Sequence, residues 1–237
     1  MSKENVLYTI IGLLVGLIIG FMGANSINQQ APLAGSAVQA GNLPAGHPNV
    51  PGGQPGSGGP MGPGTAEVQA AIEKARADPN DFEAQMRAAE LYYQIERYDG
   101  AIEFLKKANQ LKPDAYEVIV QLGNTYFDSD KYDEAEEWYT AALAKKQDDV
   151  NVRTDLGLTF MFRTPPNFDR AIQEFKRSLE TDPNHPLTLQ NLAVAYTKKG
   201  DAGNASATLA KLEGLDTANP VLGKLRSEID KLKSETK

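Results

Sequence analysis

The side chains that most often carry catalysis are scattered along this chain rather than grouped. The chain has 31 aspartate and glutamate residues but only 2 histidines and no cysteine. Its densest acidic run, Asp133-Glu134-Ala135-Glu136-Glu137, is typical of the solvent-exposed face of a helix. The sequence contains no motif for a nucleophilic serine, a phosphate-binding loop, a zinc protease or a dinucleotide fold. We therefore expect neither an enzyme nor a cofactor.

Metal and nucleic-acid binding are disfavoured as well. His47 and His185 are the only histidines and lie far apart in the sequence, whereas a metal site needs several ligands close together. The absence of cysteine excludes a disulfide framework and a thiol nucleophile. A net charge of −7 gives no electrostatic attraction for nucleic acid. Binding of a protein or a peptide remains as the expected function.

The elements that would position binding residues repeat along residues 81–217. Four aromatic residues follow one another at intervals of 34, 34 and 36 residues: Tyr92, Tyr126, Phe160 and Tyr196. Each is followed by an alanine at similar spacing: Ala101, Ala135, Ala171 and Ala205. A fixed period in the thirties predicts a solenoid of stacked helical units.

Each unit has the pattern of two amphipathic helices joined by a turn. Small residues such as Gly123 on the first helix and Ala135 on the second would let the two backbones approach closely. This pattern resembles the tetratricopeptide repeat (TPR) family, which has a 34-residue period. The resemblance implies an all-α fold, a right-handed TPR α-solenoid of about four repeats plus flanking helices. It also implies a binding platform rather than an enzyme.

Irregular segments are expected at the ends of the repeat region and within it. A flanking helix is predicted over residues 65–80 and a capping helix over residues 218–237. Thr164-Pro165-Pro166-Asn167 adds two residues between the helices of the third repeat, which should lengthen the turn and leave both helices intact. In the fourth repeat Leu212 replaces a small residue and several glycines are present, so we expect this repeat to be the least stable.

The resemblance also implies where a partner would bind, because in TPR domains the first helix of each pair lines the concave surface. The corresponding positions here are Arg87, Glu90, Tyr93, Gln121, Asn124, Phe127, Asn151, Asp155, Leu158, Phe162, Gln190, Asn191 and Val194. The amides among them can donate to and accept from the backbone of an extended peptide. We expect Asn124 and Asn191 to face outward, so that their replacement leaves the fold unharmed. The alternative is that the set comprises ordinary polar surface residues and core aromatics.

The N-terminal region predicts a membrane anchor. Residues 6–24 form an uncharged stretch of 19 residues, long enough as a helix to cross the bilayer core. We expect an uncleaved transmembrane anchor over residues 1–24. The alternative is a cleaved signal peptide, which normally has a shorter apolar core. Lys3 precedes the stretch and the next Lys or Arg is Lys74, so the positive-inside rule places the N-terminus in the cytoplasm.

Two further features of this region bear on assembly. Gly12, Gly16 and Gly20 recur every four residues along one face of the predicted anchor. Such a face permits close helix packing in lipid and would allow a homo-oligomer through the anchor, although glycine is also common in membrane helices. Residues 25–64 are rich in glycine and proline and carry no formal charge, which predicts a disordered linker.

The sequence as a whole predicts a membrane-anchored TPR adaptor that binds a protein or an extended peptide in its concave groove. It is expected in a bacterial inner membrane, with the repeats on the periplasmic side. This plan is similar to that of TPR subunits in c-type cytochrome maturation and of envelope assembly factors. The alternative is a structural spacer or oligomerisation element, driven by the glycine face of the anchor and without a peptide ligand.

Overall fold

The structure is a computed structural model and describes residues 64–235. Within this range it contains ten helices and no strand. The helices are α1 Thr65–Ala77, α2 Phe82–Gln94, α3 Tyr98–Leu111, α4 Tyr116–Asp128, α5 Tyr132–Lys145, α6 Val150–Phe162, α7 Phe168–Thr181, α8 Pro186–Lys199, α9 Ala202–Leu215 and α10 Leu222–Glu235. None of the helices in residues 64–235 has the length and apolar character needed to cross a membrane. The predicted anchor with Gly12, Gly16 and Gly20 and the predicted linker up to residue 63 lie outside the described residues.

Consecutive helices pack against one another throughout the described region. The pairs α2 with α3, α4 with α5, α6 with α7 and α8 with α9 form four helical hairpins, and each second helix also packs against the first helix of the next hairpin. Helix α1 precedes the first hairpin and α10 follows the last. The prediction of an all-α stack of helix pairs is confirmed.

Close contact within each pair depends on small residues. The column alanines Ala101, Ala135, Ala171 and Ala205 are all fully buried. A Cβ atom added to Gly123 would lie 2.6 Å from the ring of Tyr139, and Gly157 faces the ring of Phe175 in the same way. The aromatic ring of the second helix therefore occupies the space that a side chain on the first helix would need.

The turn between the two helices of a repeat is closed in a common way. Glu96, Asp130 and Gly200 occupy equivalent positions and have φ angles of 58°, 59° and 88°. In the third repeat the amide of Asn167 donates to the carbonyl of Phe160 at 2.7 Å, and the equivalent bond from Lys131 to Tyr126 measures 2.9 Å. The two additional residues thus lengthen the turn without removing this bond, and the predicted survival of both helices is confirmed.

The two ends of the stack are held by different contacts. At the N-terminal end, the buried Gln85 side chain donates from Nε2 to the carbonyl of Ala75 at 2.7 Å, which fastens α1 to α2. At the C-terminal end, Leu212 is fully buried in a second apolar cluster together with Leu225 and Ile229 of α10. The larger side chain of Leu212 therefore fills the core that α10 covers, and the lower stability of the fourth repeat stays a prediction.

Candidate functional site

The helices α2, α4, α6 and α8 form one surface, here called the first-helix face, which carries all the predicted groove residues. Five of them are exposed: Arg87, Glu90, Gln121, Asn151 and Phe162. Tyr93 and Val194 are half-buried. The remaining six are buried: Asn124, Phe127, Asp155, Leu158, Gln190 and Asn191. The sequence therefore identified the helices of this face but not the orientation of each side chain.

The expectation that Asn124 faces outward is wrong. Its Oδ1 atom accepts a hydrogen bond of 2.8 Å from the hydroxyl of Tyr139, and the two side chains are 2% and 0% exposed. A buried phenol needs an acceptor, and Asn124 supplies it from the facing helix. Asn124 is a structural residue of the second repeat.

The expectation for Asn191 is also wrong, because its side chain is only 1% exposed. Unlike Asn124, it has a buried amide group without a partner: Nδ2 of Asn191 forms no hydrogen bond within residues 64–235. Buried polar groups are nearly always satisfied, so an unsatisfied one calls for an explanation.

The N-terminal part of the face is held by its own polar contacts. Arg87 forms ion pairs with Glu90 at 2.7 Å and with Glu67 at 2.5 Å. Tyr93 donates a hydrogen bond to the carboxylate of Asp128. Burial raises the pKa of Asp128 to about 6, although the bond from Tyr93 acts in the opposite direction. These groups bind one another, which leaves little unpaired polarity for a partner at this end.

Aromatic side chains continue along the face toward the third repeat. The rings of Phe127 and Phe162 meet edge to face with centroids 5.8 Å apart, and Tyr132 stacks on Phe162 at 6.3 Å. Tyr93 and Tyr98 form a similar pair at 5.6 Å. We call Tyr93, Tyr98, Phe127, Tyr132 and Phe162 the aromatic row.

Sequence reasoning missed two members of the aromatic row, Tyr98 and Tyr132. The signal was present, because Tyr98, Tyr132 and Phe168 each begin a second helix and recur with the period of the repeats. Phe162 at the C-terminal end of the row is 40% exposed. An aromatic ring half in water and half against other rings is a common element of binding surfaces.

A cleft of about 170 Å³ lies beside Phe162. Its lining is mostly apolar: Leu158, Met161, Phe162, Phe168, Asn191, Val194 and Lys198. Four of these residues, Leu158, Phe162, Asn191 and Val194, were predicted from the sequence. Met161, Phe168 and Lys198 were not predicted. Met161 lies on α6 outside the groove positions that the repeat pattern implied, Phe168 begins α7, and Lys198 lies near the end of α8. We call this space the α6–α8 cleft.

A larger cavity of about 610 Å³ also borders Phe162 and is polar, with Asp130, Lys131 and Arg163 among its lining residues. Its cationic groups are already paired. Lys131 binds Asp99 at 2.6 Å, and Arg163 binds Glu136 at 3.0 Å as well as Asp133. The α6–α8 cleft is therefore the better candidate for contact with an apolar side chain.

Comparison with known families agrees with the helix pairs. A model described as Tetratricopeptide repeat matches residues 96–154 and 167–229, more than half of the chain. A second model with the same description matches residues 66–116. No curated protein matches the chain.

Several solved structures share the fold. The crystal structure of MamA has a TM-score of 0.58 and 24% identity, over 64% of this chain and 87% of MamA. A MamA fragment from Desulfovibrio magneticus RS-1 has a TM-score of 0.59 and 19% identity, over 65% and 86%. YrrB, described as a TPR protein with an unusual peptide-binding site, has a TM-score of 0.59 and 18% identity, over 68% and 82%. At these identities the likeness shows the fold alone.

Proposed function

Because this chain belongs to the tetratricopeptide repeat family, we propose that it is a membrane-anchored adaptor that binds an extended segment of a protein partner on the first-helix face. The adaptor acts by holding its partner and performs no catalysis. The observation that carries the proposal is the partly exposed ring of Phe162 at the edge of the apolar α6–α8 cleft. An exposed aromatic beside an apolar recess is a typical anchor point for a partner.

The contrast between the two sets of helices supports binding on this face. On the second helices the large rings of Tyr139 and Phe175 are fully buried, so they stabilise the fold and are closed to a partner. The first-helix face exposes the amides of Gln121 and Asn151 together with Phe162. Amides pair with peptide backbone, and apolar recesses receive alternate side chains of an extended segment. YrrB, a protein of similar fold, is described as having a peptide-binding site.

The membrane anchor is part of the same proposal. Residues 6–24 are uncharged, and Lys3 is the only Lys or Arg before Lys74. A helix of this length and composition favours insertion, with the N-terminus in the cytoplasm and the repeats on the periplasmic side of a bacterial inner membrane. The glycine- and proline-rich residues 25–63 would tether the repeats to that membrane without fixing their orientation.

Fractionation tests the anchor. The full chain should stay in the membrane pellet after a high-salt or carbonate wash, because an apolar helix in lipid is not released by either treatment. N-terminal sequencing of the membrane-bound protein should return the residues before Val6. A soluble chain that begins near Ser26 or Gly41 would instead show a cleaved signal peptide.

Site-specific crosslinking in intact cells tests the binding face. A photoreactive amino acid is placed at Gln121 on α4, at Asn151 on α6 or, as the matched control, at Gln173, an exposed glutamine on α7. The proposal predicts a defined crosslinked partner from Gln121 and from Asn151, and none or far less from Gln173. Equal capture from both faces, or capture from Gln173 alone, would favour a spacer without a groove ligand.

A further inference from the structure

The α6–α8 cleft combines an apolar lining with one buried and unsatisfied hydrogen-bond donor. Leu158, Phe162 and Val194 contribute the apolar walls. Asn191 lines the same cleft, its side chain is 1% exposed, and its Nδ2 forms no hydrogen bond within residues 64–235. A ligand that carries an apolar group next to a hydrogen-bond acceptor would fill the apolar cleft and accept the hydrogen bond of Asn191.

The size of the cleft restricts that ligand. A cavity of about 150 Å³ lined by apolar side chains accommodates a benzene molecule, and the α6–α8 cleft measures about 170 Å³. Pockets for drug-sized molecules are larger, from about 300 Å³ upward. The cleft therefore has room for one aliphatic or aromatic side chain. A side chain on a peptide brings its own backbone carbonyl within reach as the acceptor.

The charge at the mouth of the cleft restricts the ligand further. Lys198 lines the cleft and forms no ion pair within residues 64–235, whereas the adjacent Lys199 pairs with Asp169 at 2.5 Å. A segment with a carboxylate beside its apolar residue complements this cation. The chain's own residues 25–63 contain no aspartate or glutamate, so they lack that complement and a separate partner fits better.

We propose that the α6–α8 cleft is the anchor subsite for a partner segment in which one bulky apolar side chain lies next to an aspartate or glutamate. The side chain fills the cleft beside Phe162, Nδ2 of Asn191 donates to the backbone carbonyl of the segment, and Lys198 faces its carboxylate. The subsite rests on the proposed function and specifies the chemistry that the first-helix face selects.

The seating requires only small movements of the protein. Nδ2 of Asn191 is shielded from water in the free chain, and the proposed bond to the ligand requires the terminal amide to rotate about χ2. This rotation costs no hydrogen bond of Nδ2, because the group has none to lose. Phe162 is 40% exposed, so its ring can adjust on the solvent side while its other side stays packed against the core residue Phe127. Under this proposal, Nδ2 of Asn191 forms a hydrogen bond only when the partner segment is bound.

The test begins with peptides selected by the protein itself. Short random linear peptides displayed on phage are selected against the full chain in lipid nanodiscs, and the tightest binder is synthesised as the probe. The subsite predicts a shared Leu, Ile, Met or Phe next to Asp or Glu. Peptides that instead match residues 25–63, or that share no apolar residue, would overturn it.

Variants then separate a binding role of Asn191 from a structural one. Asn191→Leu removes the unsatisfied donor, so it should raise the midpoint of thermal unfolding while weakening the probe about tenfold, the value of one hydrogen bond. Val194→Asp at the half-buried wall should abolish binding. Lys198→Glu should weaken binding in a manner that added salt diminishes. Gln173→Leu on α7 is the control and should change nothing.

The outcomes distinguish this subsite from the proposed function. Unchanged affinity in both Asn191→Leu and Val194→Asp, with the probe still crosslinking to Gln121, would overturn the subsite and leave binding on the first-helix face in place. Failure to select any binding peptide would contradict both. If Asn191→Leu lowers both the stability and the affinity, Asn191 has a structural role. The affinity of Val194→Asp then decides whether the partner binds in the cleft.

Discussion

On the first-helix face, the polar side chains of Tyr93 and Asn124 in repeats one and two are bound within the chain, whereas an apolar cleft lies in repeats three and four. We call these two parts the closed half and the open half. In the closed half, Asn124 is bound by Tyr139 at 2.8 Å and Tyr93 is bound by Asp128. In the open half, Nδ2 of Asn191 has no partner within residues 64–235, and the α6–α8 cleft lies between the helices. Two buried asparagines in one stack of repeats are thus in opposite states.

The two asparagines do not occupy equivalent positions. In the fourth repeat, Val194 is equivalent to Asn124 and Leu209 is equivalent to Tyr139, so an apolar pair replaces the buried hydrogen-bonded pair. Asn191 is instead equivalent to Gln121, which is exposed in the second repeat. Whether a polar residue on the first-helix face is structural therefore depends on the individual contacts of its own repeat. The repeat pattern alone does not contain this information.

The largest expected effect concerns the apolar core beneath the open half. Leu212→Ala should lower the free energy of unfolding by roughly 2–5 kcal/mol, because it creates a cavity in a fully buried site where α10 docks. Since solenoid units contact only their neighbours, hydrogen exchange should accelerate in α9 and α10 and stay unchanged in α2 and α3. Removal of residues 218–237 should give the same pattern. A uniform acceleration of hydrogen exchange in all ten helices would contradict the expectation that the C-terminal end opens locally.

The next effect contrasts the two asparagines directly. Asn124→Ala leaves the buried Tyr139 hydroxyl without an acceptor and should cost about 2–3 kcal/mol in urea unfolding. Asn191→Ala breaks no bond of Nδ2 and should cost less than about 1 kcal/mol. Tyr139→Phe, combined with Asn124→Ala, should recover part of the loss because the unpaired hydroxyl is removed. An equal loss in the free energy of unfolding for Asn124→Ala and Asn191→Ala would contradict the distinction between the two halves.

A smaller effect depends on pH and belongs to the closed half. Burial raises the pKa of Asp128 from 3.8 to about 6 in the folded chain. The folded state then binds more protons than the unfolded state between these values, so the free energy of unfolding falls as the pH rises through this window and stays lower above it. The full shift corresponds to roughly 3 kcal/mol, and because Asp128 keeps part of its contact with solvent, the measured fall should be smaller, on the order of 1–2 kcal/mol. Asp128→Asn should flatten the profile, and an unchanged profile in that variant would assign the titration to another group.

The smallest effect compares the turns of the two halves. Gly200 has a φ of 88° and Glu96 has a φ of 58° at the equivalent position. Gly200→Ala should cost about 1 kcal/mol, because a side chain is disfavoured there. Glu96→Gly should stabilise the closed half by roughly 0.5 kcal/mol, because it relieves the same strain at the cost of chain entropy. Thermal unfolding checks both, and a loss of stability in Glu96→Gly would show that its side chain holds the turn.

The fold could be predicted from the sequence because the repeated glycine and alanine residues are required to be small. Gly123 and Ala135 are small where helices touch, and that requirement recurs in every repeat. The site could be predicted only in part. Leu158, Phe162, Asn191 and Val194 do share one cleft, but Asn124 is buried against the hydroxyl of Tyr139, which lies 15 residues away. Such pairings between helices have no period and leave no repeating pattern.

The most direct test of binding on the open half is hydrogen exchange of the full chain, alone and with the segment captured through Asn151. A ligand in the α6–α8 cleft should slow exchange in α6 and α8 and leave α5 and the part of α7 beyond Phe168 unchanged, because only the contacted segments are stabilised. We predict protection centred on Leu158 to Phe162 and on Asn191 to Lys198. Protection confined to the second helices, or to residues before Thr65, would contradict the account.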